Sequence, residues 1–431
     1  MITTAFVNIW NHQAGAIAWD SATQTASFEY TQSFVKKGLD LAPVKMPIRN
    51  AVNRVFSFPE LRNSNTFRGL PGLLADMLPD KYGNALINTW LARHGRPMDS
   101  MNPVELLCFI GNRSMGALEI EPAIPETSSQ STELELEGLI EMAQKILDER
   151  TNFATKLSEA EEKSLLDILK IGTSAGGARA KALIAYNQKT GEVRSGQAKA
   201  PEGFSQWLIK FDGVTDTQFN ASSGYGRVEM AYHNMAVDAG IEMTECRLME
   251  ENGRAHFMTR RFDRLDHDEK LHVQSFCALQ HFDFNNVLYY SYEQLFQTMR
   301  ELRLSYIQAE QLYRRMVFNV MGKNCDDHTK NFGFLMNQEG QWRLSPAYDI
   351  CHAYRPGSDW VQQHALSING KRKDITKKDL LEVAYPINVK NPTAIISEIA
   401  EVVSGWERYS GDVGVEKKLI KAIGKTLTIL K

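Results

Sequence analysis

Two adjacent acids, a histidine, a lysine and an asparagine crowd into residues 326–331 of the stretch KNCDDHTKNFGF, and another acid follows the asparagine 18 positions later, in SPAYDI. These residue types suit phosphoryl transfer, which needs an acid to accept a hydroxyl proton, oxygen ligands for Mg²⁺ and positive charge along the phosphates. Asp326 is the candidate base. Asn331 and Asp349 are the candidate metal ligands, because Mg²⁺ prefers hard oxygen donors and takes phosphate oxygens and water to complete its octahedron. His328 and Lys330 would lie near the transferred phosphate and offset its charge. Taken alone, such a polar cluster reads equally as a solvated turn. Its surroundings separate the readings: an apolar helical run precedes it, the strand-like FGFLM follows, then QEGQW as a turn, then Asp349. The spacing of Asp326 and Asn331, with a later acid, is also that of a protein-kinase catalytic loop and its second metal-binding Asp.

A glycine-rich stretch, IGTSAGGARAK (171–181), is the second place where chemistry is legible. Backbone N–H groups at Gly176 and Gly177 can approach phosphate oxygens closely because no Cβ intervenes. Arg179 and Lys181 add positive charge. A Walker A loop would place Lys after its last glycine, whereas Ala178 follows Gly177, so that reading fails. GTSAG matches G-x-S-x-G with Ser174 as nucleophile, but that elbow must open a helix and a β-like ALIAY follows instead. A phosphate-covering loop between strands is the third reading, and it requires a lysine on a neighbouring strand. Lys210 in QWLIKFD alternates with Leu208 and would face the cleft, with Glu229 of the following helix as its partner. FMTRRFDR (257–264) then reads as the hinge, its backbone pairing with an adenine edge while Phe262 packs on the ring. Singly, these residues read as a surface lysine, a helix acid and a buried Phe. The ordered set of glycine loop, lysine, acid, hinge, Asp-x4-Asn and Asp carries the functional reading.

The elements that must position these groups follow from the rest of the chain. At 431 residues, it is too long for one ordinary core, so two or more packed units are expected. With 43% hydrophobic and 23% charged residues and a formal charge of −3, the composition offers no global argument for nucleic acid or membrane. The five cysteines are scattered and never form CxxC, which argues against a disulfide framework or zinc site and for a reducing cytoplasm. No stretch approaches 18 apolar residues and the amino terminus lacks an h-region, so neither export nor a membrane span is expected. Residues 2–10 and 14–19 read as strands around a turn at NHQ, GALEIEP as a further strand, and the segment between (67–91) as helices backing the sheet. PETSSQSTELELEG (125–138) reads as a linker entering a helix, LIEMAQKIL. KALIAYN, QWLIKFD and AHFMTRRFD read as antiparallel strands, interrupted by one helix, YGRVEMAYHNMAVDAG, that stops at Gly240. Beyond Asp263 the chain is mostly helical.

Together SAGGARAK, WLIKF, RRFDR, CDDHTKNFGF and SPAYDI resemble the HipA family of serine/threonine kinases, the toxin half of HipA–HipB toxin–antitoxin modules, and GLPGLLADMLPD resembles that family's N-terminal subdomain. The resemblance covers most of the chain and implies an α+β, two-lobed protein-kinase-like fold: a β-rich N-terminal lobe with an extra N-terminal subdomain, and an all-α C-terminal lobe. The expected divisions are 1–124 for the subdomain, 125–164 for linker and helices, 165–262 for the ATP-binding part and 263–431 for the catalytic lobe. By resemblance, ATP and Mg²⁺ are the cofactors, Asp326 is the catalytic base, and Asn331 and Asp349 hold the metal. Gly176, Gly177, Ala178, Arg179, Ala180 and Lys181 form the phosphate loop. Lys210, the hinge residues Arg260, Arg261 and Phe262, then His328, Thr329, Lys330, Asn331, Tyr348 and Asp349 contact the nucleotide. Ser174 matches the family's autophosphorylated serine, whose modification silences the kinase. The chain departs from the family's pattern at Cys325, Asp326 and Asp327, where a second carboxylate stands beside the base. The implied partners are a HipB-like helix-turn-helix antitoxin, operator DNA bound through that complex, and a protein substrate for which glutamyl-tRNA synthetase is the family precedent. The basic segment NGKRKDITKKD offers Lys371 and Lys373 as DNA contacts or, equally, as a solvated surface. A lipid or small-molecule kinase and a catalytically silent corepressor are the competing readings.

Overall fold

The computed structural model describes residues 2–124, 132–148, 158–172, 179–196, 200–214, 224–265 and 269–430. The chain divides into two compact units, the first comprising Met1–Asp40, Met46–Gly226 and Arg247–His272, the second Leu41–Lys45, Arg227–Cys246 and Val273–Lys431.

In the first unit, β1 (Thr4–Ile9) and β2 (His12–Asp20) form a hairpin, and β3 (Thr25–Tyr30), β4 (Val55–Ser57) and β5 (Leu118–Glu121) extend it in the order β4-β3-β2-β1-β5. β1 buries alternate residues, as a sheet with one covered face requires. The turn falls at Trp10 and Asn11, with φ of 47° and 62°, so that His12 and Gln13 of NHQ already belong to β2. Two consecutive left-handed residues match the twist of a tight hairpin, and Trp10 is anchored there by its Nε1, which donates to the Lys270 carbonyl at 2.7 Å. The helices expected over 67–91 appear at Gly72–Ala75 and at Lys81–Arg93, the latter capped by Asp80, and a further helix, Pro103–Ile110, is capped by Asn102.

The second sheet of this unit holds β6 (Lys181–Tyr186), β7 (Val193–Ser195), β8 (Ser205–Lys210), β9 (Cys246–Glu251) and β10 (Arg254–Arg260) in the order β7-β6-β8-β10-β9. Helices Leu136–Asp148 and Glu159–Ile171 cover one face, burying Leu139, Ile146, Leu165 and Ile168 against Ile184, Trp207, Ile209 and Met258. Gly226 marks a close approach to this sheet, since a Cβ there would lie 2.0 Å from the Ala255 carbonyl oxygen. Gly226→Ala is therefore expected to destabilise the chain by about 1–3 kcal/mol, read as an earlier urea midpoint. An unchanged midpoint would show that the backbone yields at no cost.

The second unit is largely helical, with Tyr292–Glu301, Tyr306–Met321, Lys377–Ala384, Pro392–Ser404, Trp406–Asp412 and Lys417–Gly424. It also carries strands, so it is not helix throughout: β12 (Gly333–Met336), the expected FGFLM strand, lies between β11 (His272–Ser275) and β13 (Trp342–Leu344). Tyr313, Met316, Val317 and Phe318 of the long helix are buried. The five cysteines form no disulfide. Among the described residues, no helix is long and apolar enough to cross a membrane.

Candidate active site

Alternation along β8 sends Trp207 and Ile209 into the core and leaves Leu208 and Lys210 on the opposite face. Lys210 is opposite Lys181 on β6 and Phe257 on β10. Its Nζ lies 5.7 Å from the Phe257 ring centroid. Ser174, Gly176, Gly177 and Ala178 lie outside the described residues. In the chain they stand between the helix Glu159–Ile171 and β6. Arg179 stacks over the Tyr225 ring at 4.7 Å, and the Ala180 carbonyl accepts from Phe211 N at 3.0 Å.

Two of the residues expected to contact the nucleotide have buried side chains. Lys181 is buried, with Nζ 3.5 Å from Asp80 Oδ2, so its charge serves an ion pair. Arg261 is buried as well, donating to both Asp263 oxygens at 2.9 and 2.8 Å, while its N–H donates to the Gln206 carbonyl. Arg260 ends β10 exposed and Phe262 is half-buried. Burial works against the Asp263 charge, but Arg261 and Arg264 override it and hold the carboxyl well below the usual range.

The 326–331 loop belongs to the second unit. The helix Tyr306–Met321 stops at Gly322, Lys323 turns the chain at φ 53°, and Asn324 bridges to Ala353. Asp326 then presents its side chain outward, 46% exposed, with His328 Nε2 at 3.8 Å from Oδ1. Asn331 Nδ2 donates to the Asp326 carbonyl at 2.7 Å, which leaves the amide oxygen as an acceptor. Tyr348 Oη donates to the Lys330 carbonyl at 2.7 Å and so links the loop to the residue before Asp349, whose φ of 51° is unusual for a non-glycine. Lys330 Nζ lies 5.0 Å from the Phe284 centroid, and Thr329 turns inward to the Phe282 carbonyl. Glu229 is buried on the helix Tyr225–Asp238.

Asp327, by contrast, is fully buried. It accepts from Tyr292 Oη, His364 Nδ1 and Ala365 N at 2.9, 2.9 and 2.7 Å. Of the two adjacent acids, Asp326 is thus the exposed one. Burial alone would lower the His364 imidazole, but the Asp327 carboxylate overrides it and pushes it up to about 10. Because this group is raised on folding, its stabilisation is whole below about pH 6.5 and lost as pH rises through about 10. No local signal singled out His364 or Tyr292, which lie 37 and 35 positions from Asp327. Lys371 is paired with Asp379 at 2.9 Å, which offsets part of the charge its segment would show to phosphate, while Lys373 is exposed.

The description HipA N-terminal domain matches residues 5–121 and HipA-like C-terminal domain residues 173–406, more than half of the chain. A search of curated proteins finds no match. Among solved structures, a chain of the Shewanella oneidensis MR-1 toxin–antitoxin complex of HipA, HipB and operator DNA aligns at 16% identity, covering 98% of this chain and 95% of that one, with a TM-score of 0.65. That likeness shows the two-lobed kinase-like fold. The Helicobacter pylori proinflammatory kinase CtkA aligns at 15% identity over 52% of this chain and 88% of its own, with a TM-score of 0.32, too low to carry an argument.

Proposed function

We propose that this chain, which belongs to the HipA family, is an ATP-dependent protein serine/threonine kinase and the toxin of a toxin–antitoxin pair. The observation that supports this most directly is the outward Asp326, tied through its own carbonyl to Asn331. In this reading the Asp326 carboxylate takes the proton of an acceptor hydroxyl as that oxygen bonds to the γ-phosphorus of ATP. The bond from the γ-phosphorus to the bridging oxygen breaks and ADP leaves with its electrons. Lys210 grips the α- and β-phosphates, and His328 and Lys330 offset charge on the transferred group. The hinge holds the base through backbone at Arg260 and through Phe262.

The residues fit a magnesium ion. Asn331 keeps its amide oxygen free of the Asp326 contact, Asp349 adds a carboxylate, and both are hard donors. Among the described residues no three His, Cys, Asp or Glu side chains converge on a metal, so the remaining ligands would be phosphate oxygens and water. Mg²⁺, when bound with ATP, would offset the charge that develops in transfer.

Ser174 is the proposed site of self-inflicted, silencing phosphorylation. The proposed partners are a HipB-like helix-turn-helix antitoxin and, through it, operator DNA, where the complex represses its own genes. The proposed target is a translation component such as glutamyl-tRNA synthetase. Intact mass before and after Mg-ATP tests catalysis and the switch together. One added phosphoryl group is expected on the wild-type chain, located at Ser174 by fragmentation and missing from Ser174→Ala. A mass unchanged by Mg-ATP, with no ATP consumed, would refute the kinase reading, and phosphate on another residue would refute the switch.

A further inference from the structure

The residue that follows the candidate base is held more completely than a loop acid needs to be. Asp327 accepts three hydrogen bonds from two distant segments, Tyr292 at the start of its helix and the pair His364 and Ala365. The contacts continue beyond it. Asn319 Nδ2 donates to Tyr292 Oη at 3.0 Å, and Asn324 Nδ2 donates to Asn319 Oδ1 at 3.0 Å. The same Asn324 amide lies 3.5 Å from the Asp349 carbonyl oxygen. Within the second unit, one buried polar network therefore runs from the backbone of a candidate metal ligand to the neighbour of the candidate base.

We propose that Asp327 and His364 are positioning residues for phosphoryl transfer: a buried carboxylate–imidazolium pair that aims Asp326 and, through Tyr292, Asn319 and Asn324, sets it relative to Asp349. The proposal rests on the kinase reading of this site and goes beyond it. Two neighbouring side chains leave a non-helical backbone in different directions, so pinning Asp327 inward keeps Asp326 outward. Charge matters as much as shape. A lone carboxylate at 327 would add a second negative charge beside the base and the phosphates, and like charges at short range oppose ionisation of both. With His364 charged, the buried pair is neutral. The other groups facing it are Cys325, whose Sγ lies 3.9 Å from His364 Nε2, and Arg372, which donates to the Ala365 carbonyl.

The test is the single-turnover rate of Mg-ATP-dependent self-phosphorylation and its ATP dependence, measured on folded variants. His364→Gln and Asp327→Asn should each lower the maximal rate by about tenfold to a hundredfold, the scale of a small misplacement of a catalytic group. The half-saturating ATP concentration should stay where it is. The double variant should recover part of the rate, because neither partner then leaves an uncompensated buried charge. Tyr292→Phe removes one hydrogen bond without stranding a charge and should lower the rate at constant half-saturating ATP. It decides the matter if a charge variant does not fold. Variants that turn over at the wild-type rate beside an active wild type would overturn this inference alone. A wild-type chain that transfers no phosphate would overturn the kinase reading, and this inference with it.

Discussion

Asp326→Asn is expected to lower phosphate transfer by about a hundredfold to ten-thousandfold, the usual range for removing a positioned general base. The substitution keeps size and hydrogen-bonding reach but deletes the only group at that position able to take a hydroxyl proton. ATP should still bind, because Lys210, Asn331 and Asp349 are untouched and the Asn331 contact goes to the backbone carbonyl of residue 326, not to its side chain. Stability should change little, since the carboxylate is 46% exposed. Transfer of labelled phosphate and calorimetric ATP binding, run on the same preparation, separate the two effects. Transfer at the wild-type rate would remove Asp326 from the mechanism, and lost ATP binding with intact folding would make it a binding group instead.

The largest effect on stability should come from Asp263→Ala, about 3–5 kcal/mol, the cost of breaking a buried ion pair by deleting one partner. The Asp263 carboxylate is completely buried and joins Arg261, Arg264 and the Gly116 N–H, the last at 2.6 Å. Arg264 also donates to the Gly116 and Ser114 carbonyls at 2.9 and 3.2 Å, so the segment after β10 is tied to the turn before β5. Removing the acid would take this counter-charge from the buried Arg261 guanidinium and this acceptor from the Gly116 N–H. Because this carboxyl is depressed on folding, its contribution is present above about pH 4 and is lost as pH falls through the lower folded value. Urea unfolding at neutral pH measures the loss, and Asp263→Ala should also flatten the acid side of the stability profile. A loss under about 1 kcal/mol would mean that water reaches the arginines and replaces the acid.

Much of this molecule can be read from short windows of sequence, because the forces involved act between near neighbours. The two-residue period of QWLIKF placed Lys210 on the face opposite Trp207 and Ile209. The breaks around YGRVEMAYHNMAVDAG bounded a helix that the structure places at Tyr225–Asp238, and the run into CDDHTKNFGF ended a helix and led to β12. The order of the chemistry-bearing residues, and the family they belong to, were legible for the same reason: five-residue spacing and glycine placement are properties of a loop in itself.

Direction and pairing were not legible, because they depend on partners far along the chain. Nothing in CDDH says that Asp326 faces out while Asp327 is buried; Tyr292, His364 and Ala365 decide it. Nothing in ARAK says that Lys181 meets Asp80, and nothing in RRFDR says that Asp263 reaches Gly116 and draws Arg261 inward. A charged side chain goes where its desolvation is best offset, and that place exists only after segments 35 to 147 residues apart have packed together.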